Sequence, residues 1–210
     1  MTRHGLIWLA LIVAIFMISP LLVSPDEYKT TMDREIATAQ RWYGEEEFAD
    51  IAETAHTLYQ GVMVRTGIDG LLRNHFTKPL NDEIAPGYKL PAHISSFAKP
   101  IDGYWKGLLE NFTLFFFRLA QAWLWAYYMG PFILASIFDG IMYRKAKIAS
   151  FQYTSPTLYN ASWHLIIFLM AASLVSFSIT INFSPLAYPM VIASIGFLIR
   201  LLISNIQHSA

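Results

Sequence analysis

The 210-residue sequence contains no cysteine, and charged residues make up only 14% of it. The first absence excludes disulfide exchange, thiolate metal centres and iron–sulfur ligation. It leaves the compartment open, because a chain without thiols is safe on either side of a membrane. The shortage of charge argues against a single soluble domain, although the length alone would allow one. Catalytic signatures are missing too: there is no phosphate-cradling glycine loop, no HExxH and no GxSxG. His56, His75 and His93 stand at spacings that match no zinc pattern. His164 lies in an apolar stretch, but the other apolar stretches offer no facing histidine with which to hold a haem. The reading is a non-enzyme with no catalytic residue, no cofactor and no metal.

The charge that is present is segregated. Between Ser24 and Asn111, 14 acids stand against 9 bases; elsewhere Asp139 is the one acid, against Arg3, Arg118, Arg144, Lys145, Lys147 and Arg200. The neutral total therefore conceals an acidic segment and a basic remainder. The basic remainder is also the apolar part. Gly5 to Val23, Phe112 to about Phe138, Ala161 to Ile181 and about Leu186 to Ile203 each approach or exceed the ~20 residues that span a hydrocarbon core. The first resembles a signal peptide in having Arg3 ahead of an apolar run. Leu22 stands where cleavage wants a small residue, and Pro25 follows directly after Ser24, so an uncleaved anchor is expected.

Basic residues in short loops and tails orient such a chain. Arg3 starts in the cytoplasm, so the acidic segment lies outside. The run from Phe112 returns and delivers Arg144, Lys145 and Lys147 to the cytoplasm, and the last two runs form a hairpin ending inside. The expected fold class is an all-α membrane protein with four transmembrane helices and an extracytoplasmic helical segment between the first and second. Its parts are an anchor (1–23), a periplasmic helical domain (24–111) and a three-helix membrane domain (112–210) with a basic cytoplasmic loop at 139–160. Both termini are cytoplasmic, in a bacterial inner membrane.

Within the outer segment, Ser24-Pro25-Asp26-Glu27 predicts a helix start with a capping box. Apolar residues at Tyr28, Met32, Ile36, Ala39 and Tyr43 predict one helical face, ended by Gly44. A second helix from Glu45-Glu46-Glu47 carries the stripe Phe48, Ile51, Ala55, Leu58, Tyr59 and Val62, suited to a hairpin or to a partner. Phe48, Ile51 and Leu58 are its candidate contact residues. Gly67 to His93 reads as loop, a helix is expected from about Pro100, and Lys106 and Glu110 are spaced to pair. Met129-Gly130-Pro131 should kink the second span. Pro156 reads as a breaker, and Asn182-Phe183-Ser184-Pro185 as a tight turn.

Arg118 is the charge that needs an explanation. At the centre of a span it would cost about 2.5 kcal/mol or more. One reading gives it a buried partner, such as a carboxylate of another subunit or a conducted ion; an intrachain partner would have to be Glu110 or a group from the outer segment. The other has it snorkelling to the headgroups or making a structural contact, and this is the favoured one. Asp139, beside Gly140 and ahead of the basic triplet, reads as an interfacial turn with local pairing. Trp123 and Trp125 sit mid-span, where they would mark a helix contact. Asn111-Phe112-Thr113 and Asn160-Ala161-Ser162 match glycosylation sequons, a weak signal. Arg144, Lys145 and Lys147 have the chemistry to meet anionic lipid or nucleic acid, but three charges are also what topology alone requires.

The aromatic span with Arg118, the Asp139-Gly140 exit followed by Arg144, the Tyr153-Thr154-Ser155 to Tyr159 stretch and the closing apolar hairpin resemble a family of small bacterial membrane proteins. Members are encoded in integrating conjugative elements and conjugative plasmids. The resemblance covers most of the chain and departs from the family at Phe151-Gln152-Tyr153 and Pro156. It implies an accessory inner-membrane part of a type IV secretion apparatus for DNA transfer, working by protein contacts near the coupling protein. Expected partners are the lipid bilayer and other membrane proteins of that apparatus, with no sequence-specific nucleic-acid binding. The loop containing Tyr153 and Tyr159 is the candidate inner contact surface. The rival classes are a small transporter or channel subunit, in which Arg118 or Asp139 would line a pathway, and a membrane enzyme or haem carrier.

Overall fold

A computed structural model describes the backbone of residues 2–73 and 92–206, and the side chains of residues 7–73 and 103–206. Among these residues every regular element is helical: α1 (Thr2–Leu22), α2 (Pro25–Tyr59), a π-helical turn at Gln60–Val64, the short α3 (Ile68–Leu71), α4 (Ala92–Tyr128), α5 (Gly130–Ala149), α6 (Pro156–Ser176) and α7 (Ala187–Ser204). Most of the loop expected after Gly67 lies outside the described residues, as do His75, His208 and the side chains of Arg3 and His93. The helix expected near Pro100 begins earlier, at Ala92.

Several boundaries follow from local chemistry. The capping box at the start of α2 is closed in both directions: Glu27 N–H donates to Ser24 Oγ and Ser24 N–H to Glu27 Oε2, each at 3.3 Å. Gly44 interrupts α2 with φ 82° and ψ 179°, a left-handed value that glycine adopts without the Cβ clash other residues meet. Met129-Gly130-Pro131 separates α4 from α5 with a bend of 55°, as expected of a proline that supplies no N–H. Pro156 does not break the third apolar run; it opens it. Ser155 Oγ accepts from Leu158 N–H at 3.3 Å, so Ser155 caps α6 and Pro156 takes the first helical position, where its missing N–H costs nothing.

The chain divides into two compact units, residues 1–120 with 175–183, and residues 121–174 with 184–210. The division falls after Ala120, later than the Asn111–Phe112 boundary read from composition. The reason is the aromatic run. Successive helical positions point about 100° apart, so Phe115, Phe116 and Phe117 face three directions. Phe115 meets Phe16 and Phe177, Phe116 meets Tyr59, and Phe117 meets Phe48, with centroids 5.7–6.5 Å apart. A helix apolar on every side is one buried on every side. Here protein surrounds much of it. Met63, Leu72, Leu108, Leu109 and Phe116 form the core of the first unit, and full burial of such side chains stabilises by roughly 1.5–3 kcal/mol each.

In the second unit α5 packs on α7. Gly140 allows the close approach: a Cβ there would stand 3.1 Å from the Arg200 carbonyl oxygen and from Ile203 Cβ. Asp139-Gly140 is therefore the middle of a helix and not an interfacial turn. Trp123, expected to mark a helix contact, is 71% exposed.

Among the described residues, α6 and α7 are each long and apolar enough to cross a membrane. Two bent pairs, residues 7–22 with 25–64 and residues 103–128 with 130–149, bring the number to four if each pair is one span. Only 11% and 17% of the apolar windows of α6 and α7 are buried inside the protein. Apolar surface on that scale calls for lipid or a partner rather than water.

Candidate functional site

The most constrained place in the first unit is Arg118. It is 0% exposed, and Glu35, 83 positions away, is 2% exposed. Arg118 Nε donates to Glu35 Oε2 at 3.0 Å and Nη2 to Glu35 Oε1 at 2.5 Å, the two-pronged geometry that a planar guanidinium makes with a carboxylate. The same guanidinium serves three carbonyls at and just beyond the end of α6. Nη1 donates to Ser176 and Ile179, and Nη2 to Ile181, each at 2.7 Å. The five bonds match the five donors an arginine has. Glu35 Oε1 also accepts the Phe183 N–H at 2.9 Å, and the Phe183 ring lies 4.8 Å from the guanidinium carbon.

This arrangement explains why α6 stops at Ser176 rather than running to Ile181. The last carbonyls of a helix have no intrahelical partner; here an arginine from another helix takes that of Ser176 and those of Ile179 and Ile181 in the turn that follows, and its positive charge suits the negative end of the helix dipole. A second polar knot lies beside it. Ser19 Oγ bonds the Tyr28 hydroxyl and donates to the Ser178 carbonyl, while Asn111 Nδ2 donates to Phe16 O and Ser19 Oγ at 3.3 Å. Together the two knots pin residues 176–183 to α1, α2 and α4. Asn111 is fully buried and Thr113 Oγ1 donates to Leu109 O, so the first sequon is inaccessible in the folded chain.

Arg118 thus makes a structural contact inside the first unit rather than snorkelling. Its partner comes from the acidic segment, the alternative left open by the sequence, while the other candidate, Glu110, lies 3.6 Å from Lys29. The stripe of α2 turns inward: Ile51 is buried, Phe48 packs on Phe117, and Leu58 packs on the core cluster. Beyond the stripe, Tyr59 donates to Asp69, which also accepts from Arg73 Nε at 2.9 and 3.0 Å. Burial pushes the Tyr59 phenol up, with the bond to Asp69 adding to it. For Asp69 burial alone would raise the carboxyl, but the bonds from Tyr59 and Arg73 outweigh it and hold it below its usual range.

The second unit holds the other predicted residues. Asp139 pairs with Arg200 Nε of α7, not with the basic triplet. Lys147 Nζ donates to Asn205 Oδ1 at 3.0 Å, and the Ser155 N–H joins it at 3.2 Å. Lys147 and Arg200 both lie over the Tyr143 ring, at 5.0 and 5.6 Å. Lys145 is exposed, Arg144 is half-buried with Nε unpartnered, Tyr153 is 80% exposed, and Tyr159 is half-buried in the first turns of α6. His164 is exposed, and among the described residues no cluster of His, Asp and Glu is arranged to hold a metal.

Among the described residues, both units present ion pairs that fasten helices. A family model described as IncC plasmid conjugative DNA transfer protein DtrJ-like matches residues 20–207. The chain belongs to the DtrJ-like family. It is therefore a conjugative DNA transfer protein. No curated protein and no solved structure matches it. The match takes in Glu35, Arg118, Asp139 and Arg200, so both fastened ion pairs lie within the DtrJ-like region. Glu35 and Asn205 were not singled out from the sequence of this DtrJ-like chain. Glu35 had a detectable signal: Tyr28, Thr31, Glu35 and Ala39 follow helical spacing and are all buried, so an acid occupies a core position.

Proposed function

We propose that this chain is an accessory inner-membrane component of a conjugative type IV secretion apparatus, acting by protein contacts near the coupling protein. The observation that carries the reading is the family match across residues 20–207. Two to four helices able to cross a bilayer support a place in the membrane. The asymmetry of basic residues supports cytoplasmic termini and a periplasmic segment from Ser24 to Asn111. Binding rather than catalysis is the role, with no cofactor and no sequence-specific recognition of nucleic acid.

The fastened Arg118 supports a scaffold over a channel. A conducting arginine must keep donors for its cargo, and here the donors are engaged by Glu35 and three carbonyls. Asp139, the other pathway candidate, is held by Arg200. The reading is tested by purifying the tagged protein from donor cells after crosslinking. Recovery of the coupling protein and its membrane neighbours is expected; recovery of no transfer protein would contradict it.

A further inference from the structure

The turn between α5 and α6 carries a feature that folding does not explain. The end of α5 is closed by a pair of bonds, Gln152 N–H to Lys147 O at 2.9 Å and Phe151 N–H to Ile148 O at 3.2 Å. That pair defines a motif whose next-to-last residue must be left-handed, a position normally given to glycine. Here it is Phe151, at φ 55°, the one non-glycine residue with positive φ among the described residues. Its ring is 96% exposed, with Tyr153 80% exposed nearby and Ile148 also open. The chain thus places an aromatic where the backbone disfavours any side chain, and then leaves the ring uncovered. Neither choice is compensated inside the protein.

The charges beside it point one way. From Gly140 to the end of the chain there is no acid, whereas Arg144, Lys145 and Lys147 occupy the last two turns of α5. Lys147 is engaged by Asn205, which leaves exposed Lys145 and half-buried Arg144 beside the turn. The apolar surface continues from the turn along both helices, through Phe138, Ile141 and Met142 on α5 and Leu158 and Leu165 on α6.

We infer that the turn at 150–153 is an anionic-lipid site: Phe151 and Tyr153 seat in the headgroup region while Arg144 and Lys145 hold phospholipid phosphates. Exposed aromatics at the ends of spans settle at that depth, and neighbouring cations are drawn to acidic headgroups. The inference rests on the membrane reading above. Its physical role is to fix the height and tilt of the α5–α6 hairpin in the cytoplasmic leaflet.

The absence of cysteine makes the test clean, since a single introduced thiol is unique. Full-length Phe151→Cys, Leu165→Cys and Glu46→Cys are labelled with a polarity-sensitive fluorophore. Each is placed in nanodiscs of phosphatidylcholine, with or without phosphatidylglycerol and headgroup-level quenching lipids. The label at 151 is expected to shift to the blue and to be quenched severalfold more than that at 46. Phosphatidylglycerol should strengthen the effect, and adding Arg144→Gln with Lys145→Gln should remove the strengthening. A label at 151 that stays as wet as that at 46, while 165 reports lipid, overturns the lipid site and leaves the membrane reading intact. A label at 165 that also stays wet overturns both. A response at 151 to a DNA duplex or an acidic peptide, with none to phosphatidylglycerol, overturns it in favour of that ligand.

Discussion

Replacing Glu35 by alanine should be among the most damaging single changes in the first unit. It leaves Arg118, which is 0% exposed, charged and without its carboxylate. Breaking a buried pair from one side costs about 3–5 kcal/mol, because the remaining charge stays in a poorly solvating interior. The Phe183 N–H loses its acceptor as well, which adds about 1 kcal/mol. Against a typical total stability of 5–15 kcal/mol, that loss should leave the unit close to unfolding. Arg118→Lys should also do badly, for a different reason. An ammonium has three donors for a carboxylate and three carbonyls, so at least two acceptors lose their partners, at about 1–3 kcal/mol each. Removing both charges with Glu35→Leu and Arg118→Leu should hurt less than the two single changes together, since no charge is stranded. The carbonyls of Ser176, Ile179 and Ile181 would still lose the arginine donors, so the wild type should not be matched. Thermal unfolding in nanodiscs, followed by circular dichroism and trypsin protection, measures each variant. Glu35→Ala within about 1 kcal/mol of the wild type would refute the reasoning.

Other changes probe other contacts. Gly140→Leu should push α5 from α7, since even a Cβ meets Arg200 O at 3.1 Å; a loss of about 1–3 kcal/mol in the same assay is expected. Asn205→Ala frees Lys147 Nζ and the Ser155 N–H together, and faster hydrogen exchange at Ser155 should report it. Phe151→Gly relieves about 1 kcal/mol of left-handed backbone strain, so in lipid-free detergent micelles, without the headgroup seat, it should stabilise the folded protein; destabilisation there would mean that the ring packs on protein. Asp69 titrates below its usual range in the folded protein. Its contribution is thus complete above the unfolded value and lost as pH falls through the lower folded one. Carboxyl NMR should show the depressed titration, and Arg73→Gln should move it back up.

What the sequence made legible was local. The capping box at Ser24, the break at Gly44, the bend at Met129 and the last apolar helix each depend on residues within a turn or two, and each stands in the structure. Pairings at long separation were not legible. Glu35 meets Arg118 across 83 positions, and Asp139 meets Arg200 across 61; periodicity says which face is buried, not what it meets. Of the face read as Tyr28, Met32, Ile36, Ala39 and Tyr43, Tyr28 and Ala39 are buried and the other three half-buried, because an acid does not count toward an apolar face. The buried face in fact runs through Thr31 and Glu35. Likewise the Phe112 run was apolar enough for lipid, and only the tertiary contacts show that its first part is enclosed by α1 and α2.

On the proposed function, this conjugative transfer protein is a structural component whose first unit is held together by its buried Arg118–Glu35 pair. Transfer frequency from a donor lacking the gene, complemented with the wild type or with Glu35→Ala, tests it most directly. Normal donor growth, loss of transfer without the gene, recovery with the wild type and failure to recover with the variant are expected. Undiminished transfer in the deletion strain would contradict it.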